Sequence, residues 1–422
     1  MKKVLLLVFL ALCLSALAFG QGKMTLTCWT WTAKCVDDWL APAFEKLHPN
    51  VDIEVTPMSH PDTHNKTFVS IATGSGTPDF LTIDSAYIQK FIDQGGLVEM
   101  TGFVTPIRKD FPAYKIANDS YAEGNIFGVP FDCGPVGLYY RKDIFDKYGA
   151  KLPETWDDYV AVGKKLAKSG VSITSVSVAA AAMDQSMHGE VGLHGLLTQQ
   201  QASAYFDKNL RPTLDTKESI TAMKLIKRLV DEKVSANVAQ GSPAQYDMFN
   251  KGQLATVVSA AWYVNVLYNF VEKGTQSYGK WRVAKLPAFT KGGVRASNLG
   301  GSELAIPLLT SEDKKEVAMQ FIEFTCATLE GAKVHADYGE FPAYLPSYTS
   351  DIVQNKTFDM FQDQKIYKLF AEITPTVPTT WRIPPQYTEI QTILQAKMNA
   401  ILTNKVSVEK GLAEAQKEAL SK

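Results

Sequence analysis

Short apolar runs rich in β-branched and aromatic residues alternate with amphipathic helical stretches from Met24 onward, and this alternation limits the fold more than any other feature. Met24 to Trp31 reads as a buried strand. Asp37–His48 reads as a helix with Trp39, Leu40, Ala43, Phe44 and Leu47 on one face. Val51–Val55 is a second strand, a helix around Thr67–Thr73 stops at Gly74, and Phe80–Ile83 is a third strand. Ser85–Asp93 then forms a helix ended by Gly95-Gly96. Strands separated by helices at this spacing predict a mainly parallel α/β sheet. The middle of the chain continues in the same way. Thr155, with Asp158 three residues on, predicts a capping box for a helix running to Gly170. Asp215 or Thr216 opens another, carrying Ile220, Met223, Ile226 and Val230 inward. Leu254–Ala260 is a strand, and Ser311 or Glu312 precedes a helix bearing Val317, Phe321 and Phe324. Two closing helices carry the stripes Ile390, Leu394, Met398, Ile401 and Val408, Leu412, Ala419.

The first twenty residues stand apart from this pattern. Lys2 and Lys3 are followed by an apolar run from Val4 to Phe19 and then by Gly20-Gln21, the plan of a secretory leader with cleavage near residue 20. Cys13 sits inside that run, but Leu12 precedes it where a lipid-modified cysteine follows a small residue, which argues against a lipid anchor. The roughly 400 residues that remain are too many for one comfortable core, so two domains are expected. No Gly/Ser linker, internal repeat or low-complexity tract divides them, which predicts interwoven lobes. The formal charge is −1, becoming −3 without Lys2 and Lys3, with no block of like sign. Such a surface excludes nucleic acid or anionic lipid as the main partner. Of the five cysteines, Cys28, Cys35, Cys133 and Cys326 lie beyond the leader. They are too few for a disulfide scaffold, and the spacing of Cys28 and Cys35 leaves a local bridge open.

Three stretches, in order, carry a resemblance. They are Gly128-Val-Pro-Phe-Asp-Cys-Gly-Pro-Val-Gly-Leu-Tyr-Tyr-Arg-Lys-Asp-Ile-Phe145 with Leu152-Pro-Glu-Thr-Trp-Asp-Asp158 behind it, Met248-Phe-Asn-Lys-Gly-Gln-Leu-Ala255 ending in Ala260-Ala-Trp262, and Asn298-Leu-Gly-Gly-Ser-Glu-Leu-Ala-Ile-Pro307. Together they resemble the extracytoplasmic solute-binding proteins of the maltose-binding type, with Arg141 where that family commonly has Asn or Asp. The resemblance implies a two-lobed α/β fold of the periplasmic-binding-protein kind, with a hinge, an inter-lobe cleft and three chain crossings. On that basis residues 21–132 and 296–340 form lobe one, and 133–295 and 341–422 form lobe two. In the signature segment Pro130 removes a backbone donor, and Gly134 and Gly137 allow unusual torsions, as a crossing point requires.

The same resemblance implies capture of a carbohydrate for the permease subunits of an ATP-binding-cassette importer, by a monomer with no cofactor, metal or chemistry of its own. A pyranose offers apolar faces and hydroxyls, so its site needs aromatic platforms among amides and carboxylates. Trp31 lies at the carboxyl end of the first strand, where open α/β sheets bind ligands, whereas Trp29 is deeper and reads as core. Asp84 and Tyr87 follow the third strand at the same edge, although Asp84 can equally cap the next helix. Asp132 lies in the crossing segment and can accept hydroxyls or hold a turn. The resemblance adds Trp262 with Tyr263 as stacking residues, Gly300, Gly301 and Ser302 as a close backbone approach, Glu303 as hydroxyl acceptor or solvent-facing carboxylate, and Trp381-Arg382 and Tyr344 as late contacts.

Other constellations carry less. His60 and His64 have helical spacing, but Pro61 argues against a regular helix through both. His188 and His194 flank glycines and read as a loop. No phosphate-binding loop or nucleophile elbow is present. Two rival functions stay open at this point. One is the same transport role with a polyamine, glycerol phosphate or similar ligand. The other is a secreted glycoside hydrolase, which would need two suitably spaced carboxylates such as Asp84, Asp132 or Glu303.

Overall fold

The computed structural model describes residues 23–119, 124–178, 192–201, 205–378 and 383–422. The expected leader, His188, the His194 side chain, Trp381 and Arg382 lie outside the described residues. Among the described residues ten strands form: β1 (Met24–Thr30), β2 (Val51–Pro57), β3 (Phe80–Asp84), β4 (Val129–Pro130), β5 (Val136–Arg141), β6 (Thr174–Ser175), β7 (Ser235–Ala236), β8 (Thr256–Ala260), β9 (Trp281–Lys285) and β10 (Ser302–Ala305). Eight of them make two principal sheets, and β6 and β7 pair with each other in parallel. The first has the order β2-β1-β3-β10-β4, with β1 parallel to β2 and β3, and β10 antiparallel to β3 and β4. In the second, β5 lies between β8 and β9 and antiparallel to both.

The expected parallel pairing therefore holds for β1 to β3 and fails around β5. β8 and β9 are linked through the Tyr263–Phe270 helix and run the same way, as a crossover demands. β5 enters from the first sheet with no intervening helix and is slotted between them in the opposite direction. Both faces of the second sheet are covered. Val136 and Leu138 point into one apolar cluster, while Tyr139 points into another that also takes in Leu26 and Phe80 of the first sheet. The two closing helices, Tyr387–Leu402 and Val408–Ala419, bury the expected stripes against the first of these clusters.

Local sequence accounts for most element ends. Thr155 and Asp158 form the predicted capping box at the start of the Trp156–Ala167 helix, and Thr216 caps Lys217–Asp231. One register differs from expectation. The first helical segment opens as a short α-turn, Ala33–Cys35, and passes through a π-type turn, Val36–Leu40, before the α-helix Ala41–Leu47. The wider turn rotates the inward face onto Val36, Leu40, Ala41 and Phe44, leaving Trp39 and Leu47 exposed. Cys28 and Cys35 are buried, unbridged thiols, and burial pushes both up.

The passage between the sheets is tightly built. Asp132 bridges Pro342 and Pro135 bridges Asn298, so three chain segments run side by side at one place. Leu299 N–H donates to Gly134 O at 2.9 Å. A Cβ on Gly134 would lie 2.0 Å from the Leu299 carbonyl oxygen, and one on Gly137 would lie 2.6 Å from Val283 Cγ1. Neither glycine has a positive φ. What these positions require is the missing side chain, for close approach, and not the unusual torsion expected from sequence.

Candidate functional site

The site begins with a helix whose second half and Gly74 stop were expected from sequence and whose first half was not. His60–Thr73 is one continuous α-helix, capped by Ser59, whose hydroxyl accepts the Asp62 N–H at 3.2 Å. Pro61 does not break it, because a proline in the first turn loses an N–H that has no helical partner anyway. His60 and His64 therefore do share a face, with ring centroids 4.6 Å apart.

That face meets the carboxyl ends of β1 and β3. His64 Nδ1 bonds the His60 carbonyl at 2.7 Å, and its Nε2 accepts the Asp84 N–H at 3.0 Å. A carbonyl only accepts and an amide only donates, so the proton of this imidazole sits on Nδ1 and both nitrogens are committed. Burial and the neighbouring His60 push His64 down to about 4, against the pull of Asp84 and the His60 carbonyl. Tyr87 stacks on it at 4.0 Å. Trp31 is half-buried beside the pair, its ring 4.8 Å from His60 and 5.1 Å from His64.

Asp84 is the carboxylate at the centre. Its Oδ1 accepts the Ala86 N–H at 2.8 Å and its Oδ2 faces His60 Nε2 at 3.3 Å. Burial works against ionisation, but the hydrogen bonds from His60 and Ala86 and the nearby imidazoles outweigh it and hold this carboxyl well below its ordinary range. The predicted turn role and an open oxygen edge thus coexist, since the side chain keeps 20% exposure.

The second sheet contributes Trp262, immediately beyond β8. Its Nε1–H donates to Leu299 O at 3.1 Å. A Cβ on Gly300 would lie 3.6 Å from Trp262 Nε1 and 4.0 Å from Asp84 Oδ2. Gly300, at φ +65°, thus marks the point where residues of the two sheets meet. The expected patch of Trp31, Asp84, Tyr87, Trp262 and Gly300 is brought together, and His60 joins it.

Four expected residues have other tasks. Glu303 is fully buried in β10, where it pairs with Lys115 and accepts from Ser85 Oγ at 2.6 Å, so it does not face solvent. Tyr263 is 1% exposed and packs edge-on against Tyr139 at 5.5 Å, because the helix that starts there turns it into the core. Asp132 holds the crossing: its Oδ1 accepts Ser302 N–H at 2.6 Å and Ser302 Oγ–H at 2.5 Å. Gly301, at φ +106°, gives its carbonyl to Ser85 N–H and Oγ–H, and a Cβ there would meet Lys115 Nζ at 3.0 Å. Tyr344 is half-buried with its ring 6.1 Å from Phe111, and no described contact links it to the patch. Trp29 is core, with the Lys66 ammonium 4.0 Å above its ring.

Beneath the patch lies a buried ionic cluster. Lys115 is surrounded by Glu303, Asp119 and Asp132, and these carboxylates hold its ammonium up although burial pushes the other way. Burial lifts Glu303, Asp119 and Asp132 in turn. Asp119 and the second oxygen of Glu303 are buried without a hydrogen-bond partner among the described residues, so Lys115 is the cation that offsets this cluster. Asn118 extends the cluster: its amide donates to Ser85 O at 2.7 Å and its Oδ1 accepts Ile383 N–H at 2.9 Å, fixing the chain just beyond Arg382. A lysine inside the apolar stretch Phe111–Ile116 was the sequence signal for this cluster.

Residues 31–325, more than half of the chain, match the family described as bacterial extracellular solute-binding protein. An arabinooligosaccharide-binding protein of Halalkalibacterium halodurans is 26% identical over 367 residues, covering 83% of this chain and 77% of that one. A lactose-binding protein of Rhizobium radiobacter is 26% identical over 382 residues, covering 87% and 85%. Among solved structures, an ABC-transporter-associated binding protein of B. animalis subsp. lactis in complex with β-1,6-galactobiose superposes with a TM-score of 0.78 at 24% identity, covering 95% of this chain and 97% of that one.

Proposed function

This chain belongs to the bacterial extracellular solute-binding protein family, and we propose that it captures an oligosaccharide between its lobes and delivers it to an ATP-binding-cassette importer. The observation that carries the reading is the meeting of Trp31, His60 and Asp84 from the first sheet with Trp262 from the second at Gly300. Two indoles offer flat apolar surfaces to sugar rings, and an ionised carboxylate beside an imidazole offers hydrogen bonds to hydroxyls. Relatives named for arabinooligosaccharide and lactose binding support the same ligand class.

Capture without chemistry agrees with the carboxylates. Hydrolysis of a glycoside calls for two of them flanking the bond. Of Asp84, Asp132 and Glu303, the latter two are buried and already bonded to Ser302 and Lys115. In this reading residues 21–132 and 296–340 move as one lobe and 133–295 and 341–422 as the other, about the side-by-side crossings at Asp132, Pro342, Pro135 and Asn298. The working form is a monomer outside the cytoplasm, freed of its leader and recognised by the permease when closed. No described helix is long and apolar enough to cross a membrane.

A thermal-shift screen tests the reading with mono- and oligosaccharides, a polyamine and glycerol phosphate. A ligand at 100 times its Kd adds about 2.7 kcal/mol of stability. The expected result is stabilisation by at least one saccharide, recovered intact after long incubation. Stabilisation by the polyamine or glycerol phosphate alone, or cleavage of the bound sugar, overturns it.

A further inference from the structure

We infer that His60 is a ligand-contacting, specificity-determining residue, forming with Asp84 a two-acceptor clamp for neighbouring hydroxyls of one sugar ring. The inference rests on the saccharide reading and adds to it a residue and a hydroxyl pattern. His60 is the first residue of its helix, and its side chain keeps 39% exposure at the edge of the patch. Its Nε2 lies 3.3 Å from Asp84 Oδ2. An ionised carboxylate only accepts, so Nε2 carries a hydrogen, and an imidazole with that single hydrogen has its lone pair on Nδ1. Among the described residues no hydrogen bond to His60 Nδ1 is formed. His64 contrasts with it, having both nitrogens bound to backbone.

The surroundings fit this use. Trp31 meets His60 edge-on at 4.8 Å, with an interplanar angle of 69°. The Tyr87 ring lies 5.8 Å from that of His60. The imidazole is therefore held by Asp84 and by aromatic neighbours, and His64 ties the helix that bears it to the end of β3. His64 is the positioning residue of the pair. With Nε2 held on Asp84, His60 presents Nδ1 as an acceptor on the outer edge of its ring and Asp84 presents a carboxylate oxygen, two acceptors for two hydroxyl donors of one sugar ring, with an indole beside them for the C–H face. A site built to bond a hydroxyl rejects the analogue that lacks it far more strongly than an apolar pocket rejects a missing methylene.

Calorimetry with the best saccharide from the screen tests the clamp on wild type, His60→Ala and His60→Gln, together with that sugar's monodeoxy analogues. His60→Ala is expected to weaken binding at least tenfold while circular dichroism and the melting temperature stay near wild type. His60→Gln, whose amide can donate to Asp84 and still offer an acceptor, is expected to recover part of the loss. One deoxy analogue is expected to bind wild type poorly yet lose nothing further in His60→Ala, a coupling that a merely structural role would not produce. Unchanged affinity in a folded His60→Ala overturns the clamp and leaves the saccharide reading standing. Failure of every saccharide to bind wild type brings down both.

Discussion

Trp262 and Lys115 test the two layers of the site separately. Trp262 is half-buried, with its indole N–H bound to Leu299, so truncation removes a platform without opening the core. Trp262→Ala is expected to cost about 1–3 kcal/mol of ligand binding, read by calorimetry on a protein that still folds, and unchanged affinity would remove it from the site. Lys115 is the cation among three buried carboxylates, so Lys115→Met strands them. A loss of about 3–5 kcal/mol of stability is expected, measured as a fall in the urea midpoint. Replacing Glu303 by Leu in the same chain is expected to restore much of it, since the pair is then removed together. A Lys115→Met protein as stable as wild type would deny the cluster its place as the floor of the site.

At the scale of elements, the caps and the crossing make the sharpest demands. Thr155→Ala removes the hydroxyl half of a capping box, leaving the Thr155 N–H bonded to Asp158, and is expected to cost about 1 kcal/mol. Gly134→Ala places a methyl group on the Leu299 carbonyl and should destabilise the crossing by more than a cap does. A Gly134→Ala midpoint equal to wild type in urea would show that the crossing yields easily. These elements also show what was legible in the sequence. Alternating apolar runs located β1, β2, β3 and β8 because strand burial writes a local pattern, and caps such as Thr155 and Thr216 are equally local. The antiparallel setting of β5 was not legible, because it depends on where the chain returns after more than a hundred residues. The site divides in the same way. Trp31, Asp84 and Tyr87 lie at or just past strand ends, so position along an element pointed to them, while Trp262 was pointed to by the family resemblance. His60 was lost because Pro61 was read as a breaker when it sits in the one helical turn that tolerates it. Glu303 was misplaced because its partner, Lys115, is nearly two hundred residues away, and sequence alone gives a lone strand glutamate to solvent.

The whole molecule should register its buried histidines in its response to pH. His64 is held at about 4 and His335 at about 3, burial being the main cause in each. A histidine lowered from its ordinary 6.5 binds its proton more readily in the unfolded chain. Its contribution is therefore complete above pH 6.5 and is lost as the pH falls through that value towards 4. For His64 the loss is about 3 kcal/mol. The urea midpoint is expected to fall between pH 6.5 and 4, and to fall less in His335→Phe, where that titration is gone and Phe131 keeps an aromatic neighbour. A flat profile would contradict this. Ligand capture is the other property of the whole. A sugar touching Trp31, His60 and Asp84 on one sheet and Trp262 on the other gains its second set of contacts only when the lobes approach, and that difference between states is what can drive closure. Small-angle scattering with and without a saturating saccharide measures it directly. The radius of gyration is expected to fall on binding in wild type and to fall less in Trp262→Ala at equal occupancy, whereas an unchanged radius at full saturation would contradict capture between the lobes.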